Sequence, residues 1–278
     1  MRDNNSFTIL LNPVQTWRSL MGHWRLIRQL AWRDFSGRYK GSVFGIVWPL
    51  VTPACMLIVY TFLFGILFRP AWAQGRSFSN LDLAISIFCG MTVFSIFGET
   101  ITRASNLIME NPNYVKRVLF PLEALPVSSL CCNLMNASIN LAVLGLAQLI
   151  LNQSISKTIF LFPIILAPLL FFTLGIAYIV SSLGVFFRDL GQFVNLLITI
   201  LFLLSGVFFP VSAFPEKYQL FLNLNPLSIL LEESRNILLW GRVPDWTSLL
   251  FPTVMSIIVM QLGYSWFLLT KKGFADVI

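Results

Sequence analysis

Few residues in this chain have the type and spacing to do chemistry. Glu99 and Arg103 stand four positions apart in a stretch that holds no other charge after Asp82. On a helix, Glu followed by Arg at i, i+4 forms a local ion pair. Two roles stay open for it: capping a helix at a membrane interface, or gating the passage of a polar substrate. His23 is the single histidine and lies beside Trp24, so no Ser-His-acid or Cys-His set can be assembled. Cys55, Cys89, Cys131 and Cys132 all fall in or beside apolar stretches, without the spacing of a zinc site. HExxH, CxxC and GxxxxGK[ST] are absent, and Lys40-Gly41-Ser42 reverses the order a phosphate-binding loop needs. These patterns predict no catalytic residue, no metal and no cofactor in this chain. Any ATP and Mg that drive it must be bound by another polypeptide.

The composition shows what must position those residues. Only 11% of the chain is charged and 56% is hydrophobic, whereas a soluble domain carries about 25% charged residues. The net charge of +7 gathers at the edges of apolar runs, without the mixed basic and aromatic groove of a single-strand binder, so nucleic acid is not expected as a partner. A span needs about 20 apolar residues to cross a hydrocarbon core of roughly 30 Å. The uncharged runs place six spans near 45–68, 82–103, 127–151, 159–186, 191–209 and 248–269. With the N-terminus inside, 13 Lys and Arg fall on the inner side and 6 on the outer, out of 19. The chain therefore reads as an all-α integral membrane protein with N-in, C-in topology. No cleavable signal peptide precedes the first span, which then serves as the insertion signal.

Residues 1–44 form a cytoplasmic segment, and 45–278 the six-helix membrane domain. Trp17, Leu20, Met21, Trp24, Ile27, Ala31 and Phe35 repeat at helical spacing, with Arg18, Arg25 and Arg28 on other faces. Such a helix is expected to lie in the cytoplasmic interface with its apolar side in lipid. In the inner loop after span two, Asn111-Pro112 can open a short helix that Pro121 and Pro126 close, over about 110–122. Residues of about 210–246, between spans five and six, are too apolar for a loop. Their uncharged stretch Tyr218–Leu231 is 14 residues long and broken by Pro226, which suits short re-entrant helices.

Ion coupling is weakly supported, because Glu99 alone lies clearly inside a span. Aromatic rings are plentiful instead. Trp48, Tyr60, Phe64, Phe94, Phe97 and Tyr178 are channel candidates, since rings stack on sugars without gripping them. Ordinary packing against lipid and neighbouring helices is the competing reading of each. Pro49 and Pro53 share a face of span one, where they should kink it and free carbonyls toward a cavity.

The run Arg33–Phe68, RDFSGRYKGSVFGIVWPLVTPACMLIVYTFLFGILF, resembles the start of permeases from ABC exporters of bacterial surface polysaccharides. The similarity continues through Asn111–Pro126, Phe186–Phe193, Ser205–Pro215 and Asn225–Leu239, so it covers nearly the whole chain in order. It implies a homodimeric conduit in the bacterial inner membrane, carrying two copies of a separate ATPase subunit. The substrate it implies is an undecaprenyl-linked polysaccharide, with O-antigen favoured over capsule or teichoic acid. Glu110, Asn111, Tyr114, Lys116 and Arg117 would make the ATPase-coupling contact. Arg33, Arg38, Tyr39 and Lys40 would border the cytoplasmic entrance, with Arg38 and Lys40 either meeting a lipid pyrophosphate or only anchoring the chain. Phe209, Pro210, Phe214, Glu232, Glu233 and Arg235 would belong to an outer gate. A permease for a small lipid or drug, and a membrane-embedded enzyme of glycan assembly, are the rival readings. The enzyme would need paired polar catalytic residues facing one pocket, which the sequence does not offer.

Overall fold

The computed structural model describes residues 21–41, 44–63, 80–116, 120–152, 156–208, 217, 219, 222 and 224–277. The described residues are helical, without strands: α1 (Trp24–Tyr39), α2 (Trp48–Phe62), α3 (Asn80–Ala104), α4 (Pro112–Val115), α5 (Ala124–Asn152), α6 (Phe162–Phe186), α7 (Leu190–Leu204), α8 (Pro226–Leu238), α9 (Trp246–Thr270) and α10 (Phe274–Val277). Four of the helical stretches are long and apolar enough to cross a membrane: Asp82–Ala104, Ala124–Ile150, Lys157–Phe186 and Trp246–Val277. The helices α2 and α7 are apolar but only 15 residues long within the described residues. At ~1.5 Å per residue that is about 22 Å, short of the ~30 Å core.

The helix α3 is the hub. Most of its apolar length is buried inside the protein, and such a helix is stable only when surrounded by others. Ala84, Ile87 and Cys89 have no exposure, and α2, α5, α6, α7 and α8 all pack on it. The tightest pair is α6 with α9, where glycine lets the backbones touch. A Cβ on Gly263 would lie 2.1 Å from the Gly175 carbonyl oxygen, and one on Gly175 would lie 2.5 Å from that of Val259. Close backbone approach of this kind is how membrane helices gain dispersion contact when lipid is as apolar as leucine.

Local signals explain where helices begin. Asn225 and Asp245 cap α8 and α9 by accepting from the N–H groups of Leu227 (3.1 Å) and Thr247 (3.0 Å). Pro226 follows Asn225 at the start of α8, where its missing N–H costs nothing. Hydrogen bonds from the Thr247 hydroxyl and N–H hold the Asp245 carboxyl below the usual carboxylate range.

The N-terminal helix departs from expectation. Its stripe of Ile27, Leu30, Ala31 and Phe35 is buried against protein, chiefly α5, and not turned outward to lipid. Met21 and Trp24 are the exposed members of the expected stripe, at 45% and 47%, and Trp32 beside it is exposed as well. A helix with so narrow an apolar stripe gains more from filling a groove than from resting on a surface. Trp17, Arg18 and Leu20 lie outside the described residues. Of the inner-loop helix expected over about 110–122, the described residues show the single turn α4, and residues 117–119 lie outside them. Asn111 precedes it without a side-chain cap, and its amide donates back to the Leu107 carbonyl at 2.9 Å.

Candidate functional site

Charged and polar side chains from α1, α3 and α4 meet in one network. Asp34 accepts from Arg103 at 2.7 Å and from Arg33 at 3.0 Å. Arg33 also donates to the Tyr114 hydroxyl, with its guanidinium 5.8 Å from the Tyr114 ring centre. Partial burial opposes the charge on Arg33. The bonds to Asp34 and Tyr114 outweigh it and raise the pKa above the ordinary value. Tyr114 in turn stacks on Phe120, centroids 4.3 Å apart and planes inclined by 8°. The coupling candidate Tyr114 is thereby fastened to the entrance candidate Arg33, and through Asp34 to α3.

The expected Glu99–Arg103 pair does not form. Glu99 instead meets Arg38 at 3.4 Å, while Arg103 turns to Asp34. Both side chains leave α3 toward α1, and a partner held by packing offers shorter, charge-assisted geometry than a neighbour one turn away. Arg38 also donates to Asn133 at 2.7 Å, Asn133 donates to Thr100 at 2.9 Å, and the Tyr39 hydroxyl donates to Asn136 at 3.2 Å.

Beside this network lies a cavity of about 290 Å³ between α1, α2, α3 and α5. Arg38, Tyr39 and Glu99 reach it from one side, and Pro49, Pro53 and Tyr60 from α2. The α2 prolines thus do border a cavity, and both are buried. The residues sequence reasoning missed are the amides Asn133, Asn136 and Asn140 on α5. Their signal was present: spacing of i, i+3 and i+7 puts three amides on one face of an apolar helix. Uncharged amides do not interrupt a charge-free run, so the span pattern leaves them unmarked.

Other channel candidates sit elsewhere. Phe94 and Phe97 are buried at 4% and 3% exposure, packed on Phe202 and Phe172. Tyr178 has no exposure and donates to the Glu123 backbone carbonyl at 2.9 Å. In this structure these rings belong to the packed interior and not to the cavity wall. Trp48 is 39% exposed and meets Phe44 edge-on at 5.5 Å. Phe64 lies outside the described residues, as does Arg117. Glu110, Lys116 and Lys40 flank the network as exposed side chains.

At the α8 end, Arg235 is buried at 4% exposure. It donates to the carbonyls of Ser86 (3.1 Å) and Val207 (2.6 Å) and lies 3.5 Å from Glu232. Glu233 accepts from the Asp245 N–H at 3.3 Å. The structure therefore brings Glu232, Glu233 and Arg235 together on α8, whereas Phe209, Pro210 and Phe214 lie outside the described residues. No group of three or more metal-ligating side chains occurs among the described residues.

A family model described as "ABC-2 type transporter" matches residues 25–239. The chain belongs to that family. The match runs from the first turn of α1 to the end of α8, so it takes in the whole charged network, the cavity and the Arg235 contacts. As an ABC-2 permease the chain is a membrane-integral transport subunit and not an enzyme. This ABC-2 permease is 27% identical over 263 residues to an O-antigen export system permease protein of Myxococcus xanthus, covering 94% of this chain and 98% of the relative. It is 25% identical to one of Klebsiella pneumoniae, covering 88% and 92%. A polysialic acid transport protein of Escherichia coli is 22% identical, covering 85% of this chain and 90% of its own length.

Proposed function

We propose that this ABC-2 permease is the transmembrane half of an ATP-driven exporter of lipid-linked polysaccharide, with O-antigen as the cargo, in the bacterial inner membrane. The observation that carries the reading is the similarity to an O-antigen export permease across 94% of this chain and 98% of that relative. The capsule-related relatives match less of the chain at 22–24% identity, so capsule export by the same mechanism is the second reading.

The working unit in this proposal is a homodimer with two ATPase subunits that bind ATP and Mg. Six spans, N-in and C-in, arise from α2, α3, α5, α6, α7 and α9, with α8 in the outer gate. Glu110, Asn111, Tyr114, Lys116 and Arg117 meet the ATPase. A push on α4 then travels through Tyr114 and Arg33 to Asp34, and from there into α3 through Arg103. Rigid charge-assisted contacts suit this role, since a displaced partner leaves a partly buried charge unpaired.

The test is deletion of the gene in its host. Export predicts loss of surface polysaccharide and accumulation of undecaprenyl-linked polymer inside the cell. Unchanged surface polysaccharide with no internal polymer rejects the reading.

A further inference from the structure

Resting on the export reading, we propose that the cavity between α1, α2, α3 and α5 is a recognition subsite for a single uncharged, hydroxyl-rich sugar ring of the cargo, read by the α5 amides Asn136 and Asn140 opposite Tyr60.

Charge decides the class of ligand. Among the described residues, Arg38 is the sole cation on the cavity wall and Glu99 the sole anion, and they pair at 3.4 Å. Arg38 is further engaged by Asn133 at 2.7 Å. A diphosphate would have to pull Arg38 off both partners and then face the Glu99 carboxylate, which is half exposed. An uncharged group meets no such penalty.

The remaining wall suits a sugar. Asn136 commits its carbonyl to Tyr39, and its amide N–H groups make no bond to another described residue. Asn140 likewise forms no side-chain hydrogen bond among the described residues. Together they offer donors and an acceptor one turn apart, and Glu99 supplies a strong acceptor for hydroxyls. Phe88, Met91 and Tyr60 give the opposite apolar surface, matching a pyranose, which has a C–H face and a polar rim. The volume of about 290 Å³ lies just below the ~300–1,000 Å³ typical of small-molecule sites, so it admits one ring and not a chain.

The test uses the full transporter in its host. A benzophenone amino acid is placed at Met91, on the cavity wall, or at Val254, 54% exposed on α9 and away from it. Only variants that still export are illuminated, and captured glycan is read with an antibody to the polysaccharide. Capture at Met91 and not at Val254 is expected. In parallel, Asn136→Leu with Asn140→Leu, apolar changes within an apolar helix, should lower the export rate about tenfold at unchanged membrane level, a factor equal to ~1.4 kcal/mol. Glu99→Gln should also lower capture, because it removes an acceptor. If Glu99→Gln raises capture, the occupant is an anionic diphosphate and the proposal fails. No capture at Met91 in an exporting variant, or full export by the Asn136/Asn140 double variant, overturns the subsite while leaving the export reading intact. If gene deletion itself leaves export unchanged, the export reading falls and this subsite with it.

Discussion

Asp34 and Arg103 stand 2.7 Å apart although 69 positions separate them in the chain. The Asp34 side chain is 12% exposed and also receives Arg33, so one carboxylate holds two cations from two helices. Glu99 is 50% exposed and meets Arg38 at 3.4 Å. Asp34→Asn should therefore destabilise the protein by about 1–3 kcal/mol, and Glu99→Gln by less than ~1 kcal/mol. Thermal unfolding of the purified detergent-solubilised protein checks the order, and equal losses would contradict it.

Tyr114 offers a graded test of coupling. Tyr114→Phe keeps the ring stacked on Phe120 and removes only the hydroxyl that Arg33 bonds. It should leave ATPase co-purification intact while slowing export several-fold, on the order of one lost charge-assisted hydrogen bond. Tyr114→Ala with Lys116→Glu should abolish co-purification and leave the permease in the membrane. Undiminished co-purification of that double variant would remove α4 from the ATPase contact.

The α6–α9 contact tolerates no side chain at its centre. Gly263→Ala places a Cβ 2.1 Å from the Gly175 carbonyl oxygen, against fixed backbone. The helices must part, at a cost of about 1–3 kcal/mol or more. Gly145→Ala on α5 meets nothing within 4 Å and should be neutral or gain up to ~1 kcal/mol from helix propensity. Melting temperatures of the two variants should move apart.

Arg235 joins α8 to two other segments by separate nitrogens, Nε to Ser86 and Nη2 to Val207. Lysine has one nitrogen and cannot reach both. Arg235→Lys should cost about 1–3 kcal/mol, and Gly90→Ala, whose Cβ would lie 2.3 Å from Nη2, should loosen the same joint. Faster proteolysis between α7 and α8 in both variants is the expected result. Resistance equal to the parent protein would mean that Arg235 is dispensable there.

The apolar runs by themselves determined the helical class, because a chain with 11% charge can bury so much apolar surface only in lipid or in other helices. Asn111-Pro112 likewise marked the start of α4, because proline geometry is local; Pro226 read only as a break in an apolar stretch, and the structure starts α8 there. The similarity of motifs in order carried the family. Partner choice was beyond reach of the sequence. Glu99 and Arg103 satisfy the local pairing rule, yet α1 docks beside α3 and supplies nearer partners for both, Arg38 and Asp34. Packing likewise separated Tyr60, on a cavity wall, from Tyr178, sealed in the core, although both are tyrosines in apolar helices. Helical period says which residues share a face, and only the neighbours of that face decide whether it meets lipid, protein or a cavity.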